Sequence, residues 1–256
     1  QSAPSKDPWS RIVEICRSDP KAASYCDPST KATPLHEACR RVDRKVEGGK
    51  GSATDAVRAL IQAFPEAVSH TDSQGCIPLH YAVSPSLSAL SEKPKWLERK
   101  KIIEVLIPAD YDVSIEYLSR NDIAYDGGGM TALYNAIECL PDDFTMPGPS
   151  LEFVRVIHEA NPDMVTVRNA SDGDRPLALL YRRFTRQFDL SEKFFPGDNS
   201  RPEVVAHRKA FKIAAGNTWN NILLLLRPTP DQAEEGDAAQ QQPKTWRILH
   251  KAAQIE

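Results

Sequence analysis

Apolar residues recur along the chain at the spacing expected of amphipathic helices. Two segments follow the i, i+3, i+4, i+7 pattern that lines one helical face: Trp9, Ile12, Val13 and Cys16, then Val57, Leu60, Ile61 and Phe64. Three further apolar stretches lie at 102–106, 151–157 and 219–226. Most of these stretches end at a proline, which cannot continue a helix: Pro20, Pro65, Pro108, Pro162 and Pro228. The pattern predicts an all-α protein with a series of outer helices.

A short phrase occurs five times, each copy after one of these stretches. It first reads Thr33-Pro34-Leu35-His36-Glu37-Ala38, and altered copies begin at Ile77, Thr131, Arg175 and Arg247. Threonine can cap a helix and proline suits its first turn, so each phrase is predicted to open a second, inner helix. Turn residues precede it, most clearly in 72–75 and 126–129, where glycine can adopt a positive φ. Each unit therefore reads as finger loop, inner helix, loop and outer helix.

This recurrence in phase resembles the ankyrin repeat and covers nearly the whole chain, from Trp9 to Ala253. The resemblance implies a helix-turn-helix solenoid with short hairpin-like fingers, forming a single domain over 1–256. Its units are centred on 9–39, 55–83, 100–138, 151–181 and 218–253. Two units depart from the motif, because its histidine is Tyr134 in the third and Ala178 in the fourth. The ends of the sequence suggest an excerpt of a longer chain.

The units are longer than the roughly 33 residues typical of the family, since Leu35 and Leu79 lie 44 positions apart. Most of the excess is predicted to form loops between inner and outer helices: 40–52, 85–98, 141–150 and 182–216. The third finger is expanded over 110–129, and residues 228–244 have the composition of a disordered segment. Tolerated surface loops are the simpler interpretation, and a working surface is the alternative.

Charge and cysteine content exclude several classes of function. The 32 basic and 35 acidic residues leave a net charge of -3, so no nucleic-acid partner is expected, and no apolar run is long enough to span a membrane. The five cysteines show no metal-binding spacing and are expected to be reduced thiols in an intracellular, cytoplasmic protein. Basic residues nevertheless gather in the loops. They could align as an edge that binds anions, or could form an ordinary solvated edge: Arg40, Arg41, Arg44, Lys95 and Lys100.

No constellation of side chains predicts catalysis, a metal or a cofactor. His36 recurs with the motif, and the resemblance implies that this histidine forms local hydrogen bonds at the start of the inner helix. Cys39 lies three residues later, which leaves a cysteine-dependent hydrolase as a minor hypothesis. Gly48 to Ser52 lacks the Gly-Lys-Ser/Thr of a phosphate-binding loop. The sequence therefore predicts a non-enzymatic protein.

The resemblance implies a monomeric protein-binding scaffold that uses its inner helices and fingers. Positions after the Leu-His pair and at finger tips usually hold the contacts in ankyrin-like repeats. The candidates for partner binding are accordingly Glu37, Gln74, Tyr81, Asn135, Asp122 and Asp126. One alternative is a regulatory ankyrin segment of a larger enzyme or channel. Another is binding of an anionic ligand through the basic loop edge.

Overall fold

The computed structural model describes residues 7–43, 51–84, 93–107, 131–139, 150–169 and 173–194, with short helical pieces between 205 and 226. This part contains eight helices: α1 Pro8–Ser18, α2 Pro34–Arg41, α3 Ala53–Ala63, α4 Pro78–Val83, α5 Lys93–Leu106, α6 Ala132–Glu138, α7 Ser150–Ala160 and α8 Pro176–Phe194. It contains no strand, and the predicted all-α class is confirmed.

The helices form two rows around one hydrophobic core. In the first row α1 contacts α3, α3 contacts α5, and α5 contacts α7, while in the second row α2, α4, α6 and α8 contact one another in the same order. Helices of one row also pack on the next helix of the other, as α2 does on α3. We call these the outer and inner rows. Each helix covers apolar surface that its neighbour alone could not bury.

The leucines of the recurring phrase lie in this core. Leu35 and Leu133 are fully buried, and Leu79 is 6 % exposed. Leu177 is half-buried against the same core, whereas Leu180, one turn later on α8, is fully buried. The repeated leucine therefore marks the buried face of each inner helix, most completely in the first three units.

Proline ends three of the outer helices, as predicted. The helices α1, α3 and α7 stop two residues before Pro20, Pro65 and Pro162, and each of these prolines then begins a 3₁₀ turn that the sequence did not predict. The residue before each proline still donates its backbone N–H to the preceding turn, for example Asp19 N to Ile15 O at 2.7 Å. The turns bury Ala23, Ala67 and Met164 in the core. The same helix end thus recurs in three units.

The inner helices are short, and the C-termini of two of them are each completed by an arginine from a later helix. Arg99 on α5 is 1 % exposed and donates through Nη1 to the carbonyl oxygens of Tyr81 and Ala82, at 2.9 and 2.7 Å. Arg183 on α8 donates in the same way to the carbonyls of Ile137 and Glu138. These carbonyls lie in the last turns of α4 and α6, where the regular backbone donor four residues further on is missing.

Arg99 also forms a buried ion pair across units. Its Nε and Nη2 donate to the two carboxylate oxygens of Asp43, just beyond α2, at 3.2 and 2.6 Å. The guanidinium therefore joins the ends of α2 and α4 to α5. The sequence had placed residues 93–98 in an inserted loop, which is wrong, because α5 begins at Lys93.

Carboxylates complete the N-termini of two outer helices. One comes from a neighbouring helix, and the other from the residue just before the helix. Glu98 on α5 accepts from the Thr54 backbone N–H at 3.0 Å and from the hydroxyls of Ser52 and Thr54, all at the start of α3. Asp7 caps α1 and also accepts from Gly51 N at 2.7 Å. A Cβ at Gly51 would lie 2.7 Å from Ser10 N, so glycine permits this close approach. A negative charge at these helix ends is favoured by the helix dipole.

We predict that Arg99→Ala destabilises the protein by about 3–5 kcal/mol, because it removes the buried guanidinium that donates to two carbonyl oxygens and to the partly buried carboxylate of Asp43. Urea unfolding followed by circular dichroism measures this loss. Arg58→Ala is the matched control, since the Arg58 side chain is 58 % exposed on α3 and its loss should change stability by about 0.5 kcal/mol or less. Equal effects of the two substitutions would contradict a structural role for the buried guanidinium.

Candidate functional site

The fingers of three units share one backbone turn. In the first, Asp27 N donates to Ala32 O at 3.0 Å and Lys31 takes a positive φ of 56°. In the fourth, Asn169 N donates to Asp174 O at 2.8 Å, and Gly173 has the positive φ. The second finger has a similar turn that is one residue shorter. There Asp72 N donates to Cys76 O at 2.9 Å, and Gly75 has the positive φ. The fingers before α2, α4 and α8 thus have a defined conformation, and the third finger lies outside the described residues. Asn169 is also the first residue of an Asn-Ala-Ser sequence, which fits the pattern of a glycosylation acceptor. Its side chain is only 4 % exposed and is therefore not accessible in this conformation.

His36 ties the first inner helix to the second finger. Its Nδ1 accepts from Thr33 N at 3.1 Å, and its Nε2 lies 3.1 Å from the carbonyl oxygen of Cys76 in the next unit. A carbonyl only accepts, so Nε2 carries the hydrogen and the ring is neutral. Burial lowers the pKa of His36, which favours this neutral form. The predicted structural role of the motif histidine is confirmed for His36.

The second finger bonds back to the first through a reciprocal set of contacts. His70 Nε2 lies 3.1 Å from the carbonyl oxygen of Lys31, and Ser73 N donates to Thr30 O at 2.7 Å. The rings of His36 and His70 meet edge to face with centroids 6.0 Å apart. The relative position of the first two units is therefore fixed by directional bonds as well as by apolar packing.

A polar cluster surrounds Tyr81 where α2, α4 and the second finger meet. The Tyr81 hydroxyl donates its one hydrogen to Asp72 Oδ2 at 2.6 Å, and its oxygen lies 3.3 Å from Gln74 Oε1. The Arg40 guanidinium lies 4.3 Å from the centre of the Tyr81 ring, and Arg40 Nη1 is 3.4 Å from a carboxylate oxygen of Glu37. We name these residues the tyrosine cluster: Glu37, Arg40, Asp72, Gln74 and Tyr81. Three of the six predicted partner-binding residues are therefore together in one place.

Electrostatics fixes the orientation of the ring in this cluster. Burial by itself would raise the pKa of Asp72, but hydrogen bonds from Tyr81 and from the N–H groups of Gln74 and Cys76 hold it below its usual value. Asp72 is therefore ionised at neutral pH, and its carboxylate accepts the hydrogen bond from Tyr81. Burial and this bond to Asp72 raise the pKa of Tyr81, so its hydroxyl stays a donor. These bonds hold the cluster in one arrangement, and the protonated Tyr81 hydroxyl in it is not an activated nucleophile.

Asn135 does not belong to this surface. It is 8 % exposed, and its amide nitrogen donates to Ser84 Oγ at 2.8 Å and to His80 O at 3.3 Å. The prediction of an exposed contact residue is wrong, because Asn135 instead joins α6 to the end of α4. Asp122 and Asp126 of the third finger lie outside the described residues.

The predicted basic edge is not a loop in the described part of the chain. Arg40 and Arg41 lie in the last turn of α2, where both pair with Glu37. Lys100 lies on α5, is 23 % exposed and bonds to Glu152 of α7 at 2.8 Å. Lys95 is on the same helix, and Arg44 lies outside the described residues. Carboxylates thus compensate these charges where they are described.

The cysteines divide by exposure. Cys16, Cys39 and Cys76 are buried, Cys139 is half-buried and Cys26 is exposed, and all five are free thiols. Burial raises the pKa of Cys39 to about 12, so its thiol is protonated at neutral pH. Its environment does not favour the cysteine-nucleophile hypothesis.

Among the described residues, no group of three or more His, Cys, Asp or Glu side chains has the arrangement needed to hold a metal ion. No described helix is long and apolar enough to cross a membrane.

No family model matches the chain, and no curated protein or solved structure shows significant similarity to it.

We predict that acid weakens the fold through its buried histidines. Burial lowers the pKa of His36 and His158 in the folded state, so the unfolded chain binds these protons more readily. The stability that these neutral histidines contribute should be fully present above about pH 6.5, the pKa of histidine in the unfolded chain. As the pH falls from there towards the folded-state pKa, the free energy of unfolding should decrease by up to about 1.4 kcal/mol per pH unit for each histidine. Urea titrations between about pH 8 and pH 5 measure the slope.

The comparison is with His36→Asn, which keeps a polar side chain that does not titrate. This variant should be less stable at neutral pH and should show a shallower slope. A slope in His36→Asn as steep as in the wild type would contradict the assignment.

We predict that Cys26 is the fastest thiol to react in the native protein and Cys39 the slowest. Cys26 is exposed, whereas the Cys39 side chain is fully buried and its raised pKa suppresses the reactive thiolate. Alkylation with a maleimide, followed by peptide mass spectrometry, gives the rate at each site. Cys26→Ser should remove the fast phase alone, and labelling of Cys39 at the rate of Cys26 would revive the nucleophile hypothesis.

Proposed function

We propose that the chain is a non-enzymatic protein-binding scaffold of the ankyrin-repeat class, and that it binds a partner protein through its fingers and inner helices. Two rows of helices, inner helices opened by the recurring phrase, and fingers with one shared turn all support this class. Such an array offers a continuous surface in place of an enclosed pocket.

The tyrosine cluster is the observation that carries the proposal. Tyrosine and arginine dominate the binding energy of many protein interfaces, because they contribute large contact areas and directional polar groups. Here the Asp72 bond holds the ring of Tyr81 and the ring in turn supports Arg40, so neither side chain has to be ordered when a partner binds. Gln74 at the tip of the finger and half-buried Glu37 on α2 extend the same surface.

The arrangement favours a protein partner over a simple anion. Arg40 and Arg41 share the carboxylate of Glu37, so an anionic ligand would have to compete with an internal counter-charge. A protein surface can instead contact the ring, the amide and both signs of charge together. We therefore place the partner interface on α2, α4 and the second finger.

We predict that Tyr81→Ala removes binding of the partner. Affinity capture from cells with tagged wild type, followed by quantitative mass spectrometry and titration of the recovered partner, should show a loss of about tenfold or more. Tyr25→Ala is the matched control, because Tyr25 is 60 % exposed on the first finger outside the cluster. It should leave binding unchanged.

Tyr81→Phe separates the role of the ring from that of the hydroxyl. The variant keeps the surface for Arg40 and loses the bond to Asp72, so an intermediate affinity is expected. Circular dichroism and thermal melting establish that each variant is folded. A partner retained fully by Tyr81→Ala, or lost equally with Tyr25→Ala, would show that the interface lies elsewhere.

A further inference from the structure

A second concave surface lies on the outer row, away from the tyrosine cluster. It is a groove of about 710 Å³ between α1 and α3. Its lining includes Trp9, Val13 and Cys16 from α1 and Ala59 and Ala63 from α3, beside the polar residues Ser10, Ser52 and Gln62. Trp9 and Cys16 are buried, so the apolar surface that the groove exposes is small. The two alanines are one helical turn apart on the same face, so α3 leaves room for side chains from outside.

The walls of the groove carry an ordered pattern of charge. On α1, Glu14 is followed three residues later by Arg17, and on α3, Asp55 is followed three residues later by Arg58. All four side chains are exposed. Arg58 and Asp55 approach to only 3.8 Å at high exposure, a contact worth little in water. Each wall thus presents a carboxylate and then a guanidinium, read from the N-terminal to the C-terminal end.

The two helices run in the same direction. Asp7, the cap of α1, bonds to Gly51 at 2.7 Å, which brings the start of α1 next to the start of α3. At the other end, the 3₁₀ turn that follows α1 contacts α3. Their dipoles are therefore parallel, and a helix lying between them is favoured when it runs in the opposite direction.

We infer that this groove binds an amphipathic helix of a partner protein, antiparallel to α1 and α3. Read along such a helix, each wall offers its guanidinium first and its carboxylate second. The complementary sequence has Glu followed about four residues later by Lys, which is also the order that stabilises an isolated helix. Charge complementarity and dipole direction thus select the same occupant, with small and medium apolar side chains facing Trp9 and the alanines.

The probe is a fluorescein-labelled helical peptide of about 18 residues, built from Ala and Leu with Glu-to-Lys pairs at i, i+4 beside its apolar face. Fluorescence polarisation with the full chain should show saturable binding. Arg17→Glu combined with Arg58→Glu should weaken it about tenfold, and a probe with Lys in place of each Glu should recover affinity for this variant.

Two controls locate the binding. Arg11→Glu changes an exposed charge of α1 outside the groove and should leave affinity unchanged, as should Tyr25→Ala, at an exposed residue that does not line the groove. The proposal is overturned by the absence of saturable binding, or by equal weakening in Arg11→Glu. It is also overturned if sedimentation shows self-association that Arg17→Glu with Arg58→Glu abolishes, because the occupant would then be a second copy of the chain.

Discussion

Short helices leave most of their backbone polar groups without an internal partner, and the structure depends on how these groups are satisfied. An α-helix lacks partners for its first four N–H and last four C=O groups. The inner helices α2, α4 and α6 have eight, six and seven residues. Side chains of neighbouring units supply part of what is missing: Arg99 and Arg183 complete the ends of α4 and α6. The C-termini of α4 and α6 are therefore complete only with side chains from other helices.

The same dependence creates the candidate site. Tyr81 lies on α4 and its acceptor Asp72 on the finger before it, while Arg40 comes from the preceding inner helix. His36 and His70 fix the two units that supply these groups. Bonds that satisfy helix ends thus also hold the tyrosine cluster in register. In the proposed scaffold, a contact surface that spans units needs no enclosed pocket, because the spacing between the units positions its side chains.

The sequence was sufficient for features that depend on local chemistry and insufficient for those that depend on distant partners. Periodicity and proline predicted the outer helices, and the position of His36 in the phrase predicted its structural bonds. Asn135 was predicted as an exposed contact residue and Lys100 as a loop residue, because polar residues usually face water. The partner of Arg99 is Asp43, 56 positions away, and nothing in a local pattern indicates that pairing. The 3₁₀ turns were missed because four or five residues are too few to show a period.

The inner and outer surfaces differ in how their charges are compensated, and this difference bears on what each can bind. Around Tyr81 the arginines and carboxylates already contact one another within the chain, so a ligand gains little from charge alone and must use shape and the aromatic ring. In the groove of α1 and α3, Asp55 and Arg58 are more exposed and approach to only 3.8 Å, so these charges contribute little to each other and remain able to orient a helix above a lining of mixed polar and apolar residues. A chain with both surfaces has the physical means to hold two partners of different chemistry at once.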